Sequence, residues 1–296
     1  MIAEFDALYD LGWRGNLFIV DDNFIGNKKN VRQLIPELAK WQKARGYPFS
    51  LITESSLNLA DDESLLASMR DAGFRRVFIG IETPVEESLH EAQKSQNRGD
   101  LVSSVKVIQS YGIEVMAGFI VGFDNDPVDI FERQIDFIRR SAIPLAMVGL
   151  LNALPDTQLW KRLEREGRLL GEDASGNNTV CTLNFKTRMD PAFLVQGYQT
   201  IMRTIYSPRE YYERVLDSMK RTAHHFAEPN HYTLISGFAT LTRIFFTLGI
   251  IDRERKEFWR FFTQAVLKHR TRLADSLRLA AVGYHFRKLS EAYGPA

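Results

Sequence analysis

The chain carries, at positions 75–83, the sequence RRVFIGIET, and this stretch indicates the fold. At its centre lies a short run of β-branched and aromatic residues with no polar alternation, the pattern of a strand buried on both faces. Four similar runs occur in the first half of the sequence. The five runs start near Asn16, Pro48, Arg75, Ile113 and Pro144, at intervals of 32, 27, 38 and 31 residues.

The segments between these runs have the spacing of amphipathic helices. Leu65, Leu66 and Met69 lie on one helical face, and Gly73 follows as a typical helix stop. Thr83 and Asp126 are predicted to be the N-cap residues of the next two helices, because a proline follows each of them at the first helical position. Strand and helix alternating in this way predict an α/β fold with parallel strands.

The first half of the chain is predicted to be an incomplete barrel. A helix over residues 3–11 ends at Gly12 before any strand begins, whereas a helix of a wound βα protein commonly follows a strand of its own. We therefore expect residues 1–186 to form a partial (β/α) barrel that lacks its first strand. Residues 187–296 contain only helical patterns and are expected to form an all-helical C-terminal domain.

Polar residues follow each predicted strand. Because the carboxyl ends of parallel strands meet at one edge of the sheet, these side chains are expected to share a ligand site there. The residues concerned are Asp21, Asp22 and Asn23, then Glu54, Glu82, the segment 122–125, and Asn152. Adjacent carboxylates favour a bound cation or hydrogen-bond donor between them. The alternative is that these residues are helix caps or lie in solvated loops.

Two glycines within the fourth strand point to a close approach of ligand or backbone. Gly118 and Gly122 stand four residues apart in a buried run, where glycine weakens a strand. They fit neither the dinucleotide fingerprint nor the phosphate-binding loop.

Composition narrows the functional classes. A net charge of +1 gives no global attraction to nucleic acid, so no nucleic-acid partner is expected. The single cysteine, Cys181, fits a cytoplasmic location and is predicted to be a packed or surface thiol. His224, His225 and His231 are predicted to lie at a polar helix end, and no metal site is expected. The apolar stretch 234–251 is interrupted by Arg243 and is predicted to be a buried helix.

Taken together, three segments resemble the radical S-adenosylmethionine (SAM) superfamily in its cobalamin-binding branch. The segments are 18–24 (FIVDDNF), 80–83 (GIET) and 118–123 (GFIVGF). The stretch 153–160 (ALPDTQLW) is similar to that family's segment after the sixth strand, and the helical tail resembles the C-terminal domain of hopanoid-methylase-like members.

This resemblance implies a partial barrel that binds SAM and a 4Fe–4S cluster, with cobalamin on an upstream domain. It implies methyl transfer to an unactivated carbon of a small-molecule or lipid substrate. By position, Asp21, Asp22 and Asn23 would meet the SAM amino group, and Glu54 and Glu82 the ribose and methionine moieties. Gly118, Ile120 and Gly122 would line the adenine side, with Asn152 on the same rim. The cluster cysteines of the family are not found in this sequence, so the cluster is expected to have its ligands upstream and the isolated chain to be inactive.

Two other classes of function remain open at this stage. A barrel with carboxylates at its strand ends suits a hydrolase or a metal-dependent lyase, although such barrels have eight strands and only five are predicted here. A non-catalytic fragment that binds SAM or a partner is the third class. The basic amphipathic segment 252–273 favours a helix packed on the core with a solvated basic face, and peripheral membrane contact is the alternative. Residues 17–21 are predicted to be a sheet edge open to self-association or to an upstream segment.

Overall fold

The computed structural model describes residues 1–92, 94, 97, 99–171, 182–222 and 234–292, and for 234–236 only the backbone. Cys181, His224, His225 and His231 lie outside the described residues, so the predictions for them stay predictions.

The sheet has five parallel strands in the described part of the chain, in the order of the sequence. They are β1 Gly15–Ile19, β2 Phe49–Ser55, β3 Phe74–Glu82, β4 Glu114–Val121 and β5 Leu145–Leu150. Each strand pairs only with its sequence neighbours, and β1 and β5 are the two edges. The predicted α/β partial barrel is confirmed, with β1 at the edge where the missing strand would pair.

Helices connect the strands and form the tail. The barrel helices are α1 Ile2–Asp10, α2 Lys28–Ala44, α3 Glu63–Asp71, α4 Glu86–Glu91, α5 Leu101–Ser110, α6 Ile130–Ser141 and α7 Gln158–Arg165. The tail helices are α8 Pro191–Ile205, α9 Pro208–Arg221, α10 Leu234–Phe246, α11 Arg255–Lys268 and α12 Leu273–Ala292. A π-helical turn, Thr247–Ile251, joins α10 to α11, and short 3₁₀ turns lie at Leu57–Asp61 and Arg270–Arg272.

The strands are not buried on both faces, which corrects the sequence-based expectation. Along β3, Val77, Ile79 and Ile81 are fully buried under the helices, whereas Phe78 and Gly80 on the other face are half-buried. Five strands do not close a barrel, so this second face, here called the open face, is apolar but partly exposed. The unalternating hydrophobic pattern reflects the barrel interior rather than complete burial.

The helical tail packs on the β5 edge of the sheet. The Tyr206 hydroxyl donates to the Ala146 carbonyl oxygen at 2.9 Å and accepts from the Ala146 N–H at 3.3 Å. Arg214 is buried and donates to the carbonyl oxygens of Ile143 and Ile205. One hydrophobic core therefore runs from the sheet into the tail. The boundary at residue 186 stays a prediction.

Two predicted helix caps are wrong. The helix after Thr83 begins at Glu86, and the Thr83 hydroxyl accepts from the Val85 N–H within the preceding turn. The helix after Asp126 begins at Ile130. Asp126 is instead half-buried at the end of β4, where it accepts from the N–H groups of Gly122 and Phe123.

The prediction for 234–251 is confirmed in part. The segment is helical, and Leu248 is buried, with Ile244 and Phe245 packed against the core. Burial of the whole segment is wrong, because the helix presents its other face to solvent; the exposed residues are Phe238, Leu241, Phe246, Ile250 and Ile251. Among the described residues, no helix is long and apolar enough to cross a bilayer.

Candidate functional site

A polar cleft of about 210 Å³ lies at the carboxyl ends of β1, β2 and β3. It is lined by Asp22, Asn23, Glu54, Ser55, Ser56, Phe78, Gly80, Glu82 and Lys94. Three carboxylates and one ammonium group thus face a volume suited to a polar small molecule.

Glu82 has a strained backbone at the end of β3. Its φ is +66°, a conformation that costs energy for a residue with a side chain. The Thr83 N–H donates to the Ile81 carbonyl oxygen across it at 2.9 Å, and the register with β4 shifts between Gly80 and Glu82. Bulges of this kind re-aim a side chain next to functional sites. Here the bulge accompanies a carboxylate that lines the cleft.

Asn97 holds this bulge from below. Its side chain is buried and donates from Nδ2 to the carbonyl oxygens of Gly80 at 3.0 Å and Ile81 at 3.1 Å. Gln134 of α6 plays a similar part on the other side, donating to the Ile120 carbonyl oxygen at 2.7 Å and the Glu82 carbonyl oxygen at 3.4 Å. The ends of β3 and β4 are therefore fixed to one another.

Lys94 forms an ion pair with Glu82, with 3.0 Å between Nζ and Oε1. Both groups lie directly over Gly80, because a Cβ at that position would stand 2.5 Å from Glu82 Oε1 and 3.1 Å from Lys94 Nζ. Glycine at position 80 leaves the space that this pair occupies.

The residues after β1 close the cleft on its other side. Asn23 Oδ1 accepts from both the N–H and the hydroxyl of Ser56, at 3.1 Å each, which ties the β1 loop to the end of β2. Asp21 is exposed and accepts from the Asn23 N–H at 2.9 Å, so it shapes the turn rather than lining the cleft. Asp22 is exposed at the mouth of the cleft.

Of the two glycines predicted within the fourth strand, Gly118 lies in β4 and Gly122 directly follows it, and both are close to protein side chains. A Cβ on Gly118 would meet the Phe78 ring at 3.1 Å, so the ring leans across the open face beside the cleft. Ile120 lies on the same face and is half-buried. Gly122 has a φ of +108° and faces Leu194 of α8, whose Cδ2 would stand 3.1 Å from a Cβ on this glycine.

The polar residues after β4 form a separate, structural network. Asp124 is buried between Arg168 at 2.7 Å and Arg162 at 3.2 Å, and the hydrogen bond from Arg168 lowers the pKa of its carboxyl group. Burial raises the pKa of Asp126, which Ser88 also contacts at 2.7 Å. Asn125 binds Glu91 through its N–H at 3.2 Å and its side-chain amide at 3.0 Å. These residues hold the loop and lie outside the cleft lining.

The comparisons with known proteins agree with this architecture. A family model described as Domain of unknown function (DUF4070) matches residues 157–294. The chain is 34% identical to the hopanoid C-2 methylase of Rhodopseudomonas palustris over 292 residues, 96% of this chain and 54% of the methylase. It is 44% identical to an uncharacterized methyltransferase of Synechocystis sp. over 215 residues, 72% of this chain and 40% of that protein.

The fold is also similar to a solved structure, the radical SAM methyltransferase TsrM of Kitasatospora setae with cobalamin and a 4Fe–4S cluster bound. The TM-score is 0.50 at 18% identity, over 67% of this chain and 40% of TsrM. The chain is thus similar to a hopanoid methylase over nearly all of its own length, and it shares its fold with a radical SAM methyltransferase. It spans about half, or less, of the length of the curated relatives it matches. None of these three proteins is named as a hydrolase or a lyase.

Four of the nine predicted site residues line the cleft: Asp22, Asn23, Glu54 and Glu82. Asp21, Gly118, Ile120, Gly122 and Asn152 do not line it; Asn152 donates to the Leu150 carbonyl oxygen at 3.2 Å. Lys94, Asn97 and Gln134 are not predicted by the sequence patterns. Lys94 and Asn97 lie in a connection without periodicity. Gln134 lies on the apolar face of the amphipathic helix α6, and an amide at a position expected to be apolar is the one signal that the sequence offers.

Proposed function

We propose that this chain is the C-terminal portion of a cobalamin-dependent radical SAM methylase, and that its cleft binds SAM. The observation that carries the proposal is the convergence of Asp22, Glu54 and Glu82 with Lys94 on one cleft at the strand ends. A zwitterionic amino acid joined to a ribose offers an ammonium group, a carboxylate and two hydroxyls, and this set of side chains can pair with all of them.

Each cleft residue has a task that its chemistry supports. Asp22, at the mouth, accepts from the ammonium group of the methionine moiety. Glu54 and Glu82 accept from ribose hydroxyls, and the Lys94 ammonium group is available to a carboxylate when Glu82 turns to the ribose. The adenine is assigned to the open face beside Phe78, Gly118 and Ile120. Gly122 contributes through backbone shape, and Asp21, Asn23 and Asn152 through the loops they hold.

The other cofactors belong to segments outside this chain. One cysteine cannot supply the three thiolates that a SAM-binding cluster requires, so the residues present do not fit a 4Fe–4S cluster. When bound, cluster, SAM and cobalamin together supply the radical chemistry and the methyl group. The chain's own residues bind and orient SAM and enclose the substrate.

Calorimetric titration of SAM tests the proposal, in the protein that joins this chain to its cluster-binding segment. Asp22→Ala and Glu82→Ala are each expected to weaken SAM binding by about ten- to a hundredfold, because each removes a charge-assisted hydrogen bond. Asp71→Ala is the matched control, since Asp71 is an exposed carboxylate at the end of α3, next to the amino end of β3 and so at the opposite end of that strand from Glu82. Unchanged affinity in both cleft variants would mean that the carboxylates are structural.

The isolated chain gives a second test. After anaerobic reconstitution it is expected to hold no stoichiometric iron or sulfide and to form no 5′-deoxyadenosine. A stoichiometric cluster on this chain would contradict the assignment of the cluster ligands to another segment.

A further inference from the structure

The turn between α10 and α11 presents a compact apolar surface to solvent. Phe246, Ile250, Ile251 and Trp259, here called the apolar tip, have exposed fractions between 44% and 62%. Single exposed apolar residues are ordinary, but adjacent ones mark interaction sites. Three of these four residues lie within six positions of the chain, and the fourth contacts the turn directly.

The apolar tip is held rigidly from behind. Trp259 Nε1 donates to the Gly249 carbonyl oxygen at 2.9 Å, and its ring packs where a Gly249 Cβ would stand. Leu248 is buried, and Phe245 packs edge-on against Phe262 with 5.0 Å between ring centroids. The exposure of the tip is therefore fixed by the packing of its inner residues, and little order has to be gained when the tip is covered.

Exposed basic residues flank the tip along the chain. The exposed cations are Arg243, Arg253, Arg255, Lys256 and Arg260. The acidic residues nearby are fewer. Asp252 forms an ion pair with Arg287, and a Glu257 carboxylate oxygen lies 3.9 Å from Arg260 Nη1. The third, Glu254, is exposed. An apolar tip with a basic rim matches an interface in which hydrocarbon lies beneath anionic headgroups.

We propose that the apolar tip docks this chain on the surface of an anionic lipid bilayer. Phe246, Ile250 and Ile251 enter the acyl boundary, Trp259 lies at headgroup level and the rim cations contact lipid phosphates. A second copy of the chain fits less well. A self-complementary contact would oppose the same cations, and the tip is much smaller than the roughly 800 Å² per partner of a stable interface.

The apolar contact comes from the turn rather than from the Phe258 stripe of α11. That stripe is buried in the core together with Phe261 and Ala265, which confirms the favoured interpretation of segment 252–273 as a helix packed on the core. That segment contributes its charges, whereas the apolar side chains belong mainly to the turn that precedes it.

Vesicle flotation with the full 296-residue chain tests the docking without any need for activity. The chain is expected to float with vesicles of phosphatidylcholine and phosphatidylglycerol, and less with phosphatidylcholine alone. The triple variant Phe246→Ser, Ile250→Ser, Ile251→Ser is expected to reduce partitioning by more than about tenfold, because most of the buried apolar area is lost. The control, Val128→Ser with Leu154→Ser, removes exposed apolar side chains of the barrel and is expected to bind like the unmodified chain.

The charges are tested separately. A triple variant without three of the rim cations is expected to bind the anionic vesicles no better than vesicles of phosphatidylcholine alone; its changes are Arg253→Ser, Arg255→Ser and Lys256→Ser. Added salt should lower the binding of the unmodified chain in the same way. The matched control removes three exposed lysines of the barrel surface, through Lys29→Ser, Lys43→Ser and Lys161→Ser, and is expected to bind like the unmodified chain. Melting curves establish that all variants fold.

Three results would overturn the proposal. One is an unmodified chain that floats with neither kind of vesicle. Another is a tip variant that folds and still floats as the unmodified chain does. The third is self-association that the tip variant abolishes while vesicle binding is unaffected, which would make the tip a contact between copies.

Discussion

At the scale of single residues, one buried amide joins the two strands that end beside the cleft. Gln134 is fully buried and spans the carbonyl oxygens of Ile120 and Glu82. Its position on α6 allows it to hold the strained backbone of Glu82 without touching the cleft. Such a residue acts on a ligand through Glu82, so its effect on binding can be separated from its effect on stability.

Replacement of Gln134 by leucine should lower both the free energy of unfolding and the affinity for SAM. The loss of stability is expected to be about 1–3 kcal/mol, because two partly buried carbonyl groups lose a donor and the buried amide is removed. Gln109→Leu is a close control: Gln109 is equally buried and donates to the Ser141 carbonyl oxygen at 3.0 Å, on the helix layer away from the cleft. Denaturant titration should give similar losses for both variants, and calorimetry should show weaker SAM binding for Gln134→Leu alone. Equal SAM affinities would show that Glu82 keeps its geometry without this amide.

At the scale of elements, the tail completes the edge of the sheet. The backbone of β5 has no further strand beside it in the described residues, and the Tyr206 hydroxyl pairs with both polar groups of Ala146. Tyr206 is fully buried, and this burial raises the pKa of its hydroxyl above the ordinary value. A phenol in this position supplies the hydrogen bonds that a neighbouring strand would otherwise make.

Tyr206→Phe is expected to destabilise the chain by about 1–3 kcal/mol, because a buried N–H and a buried carbonyl lose their partner. Tyr111→Phe removes a hydroxyl of the same kind from the surface, where it donates to Glu63 at 2.7 Å, and should cost far less. Chemical denaturation compares the two. If both variants unfold at the same denaturant concentration as the unmodified chain, water replaces the hydroxyl and the edge does not depend on the tail.

The start of α3 contains a titratable cap. Asp62 accepts from the Leu65 N–H at 3.1 Å and from Arg32 at 2.7 Å, and the hydrogen bond with Arg32 lowers the pKa of its carboxyl group to about 2. Since the pKa is lower in the folded state than in the unfolded state, this stabilisation is present above about pH 4 and is lost as the pH falls through 2. Most of Arg32 is exposed, so solvent screening reduces the ionic part.

Asp62→Ala should therefore cost about 1–2 kcal/mol at neutral pH, and the difference from the unmodified chain should narrow between about pH 4 and about pH 2. Unfolding curves across this range measure it. Asp62→Asn retains the cap but not the charge, so its free energy of unfolding is expected to lie between those of Asp62→Ala and the unmodified chain. A difference that stays constant with pH would assign the whole effect to capping.

At the scale of the whole molecule, the barrel is open along β1. Val20 is 85% exposed and Phe18 is 46% exposed, and β1 pairs with β2 alone in the described part of the chain. An uncovered strand edge with apolar side chains is a template for pairing with another chain. Association along this edge, or coverage by an upstream segment, is the expected consequence.

The purified chain is expected to self-associate with increasing concentration, and Val20→Lys or Phe18→Lys should oppose this because a charge disfavours edge pairing. Val128→Lys is the control, since Val128 is a similarly exposed valine in the loop before α6. Light scattering over a range of concentrations reports the mass. A stable monomer, with amides 17–21 strongly protected from hydrogen exchange, would show that the edge is covered within the chain.

Local sequence patterns are enough to predict the five strands, the helices between them and the helical tail. Each of these depends on residues close together in the chain: β-branched runs for the strands, and apolar residues three and four apart for helices such as α3. Asp22, Glu54 and Glu82 are also within reach of prediction, because the carboxyl ends of parallel strands bring whatever follows them to one edge.

Which of these side chains share a cleft depends on the packing of the whole chain. Lys94 reaches Glu82 from a connection without periodicity, and Asp126, which has the local signature of a helix cap, turns inward to bind the N–H groups at the end of β4. Ile250 and Ile251 are likewise exposed, whereas Phe258 and Phe261 of α11 are buried in the core. Contacts between residues distant in the chain determine these outcomes, and a local pattern carries no information about which of two apolar segments takes a shared place in the core.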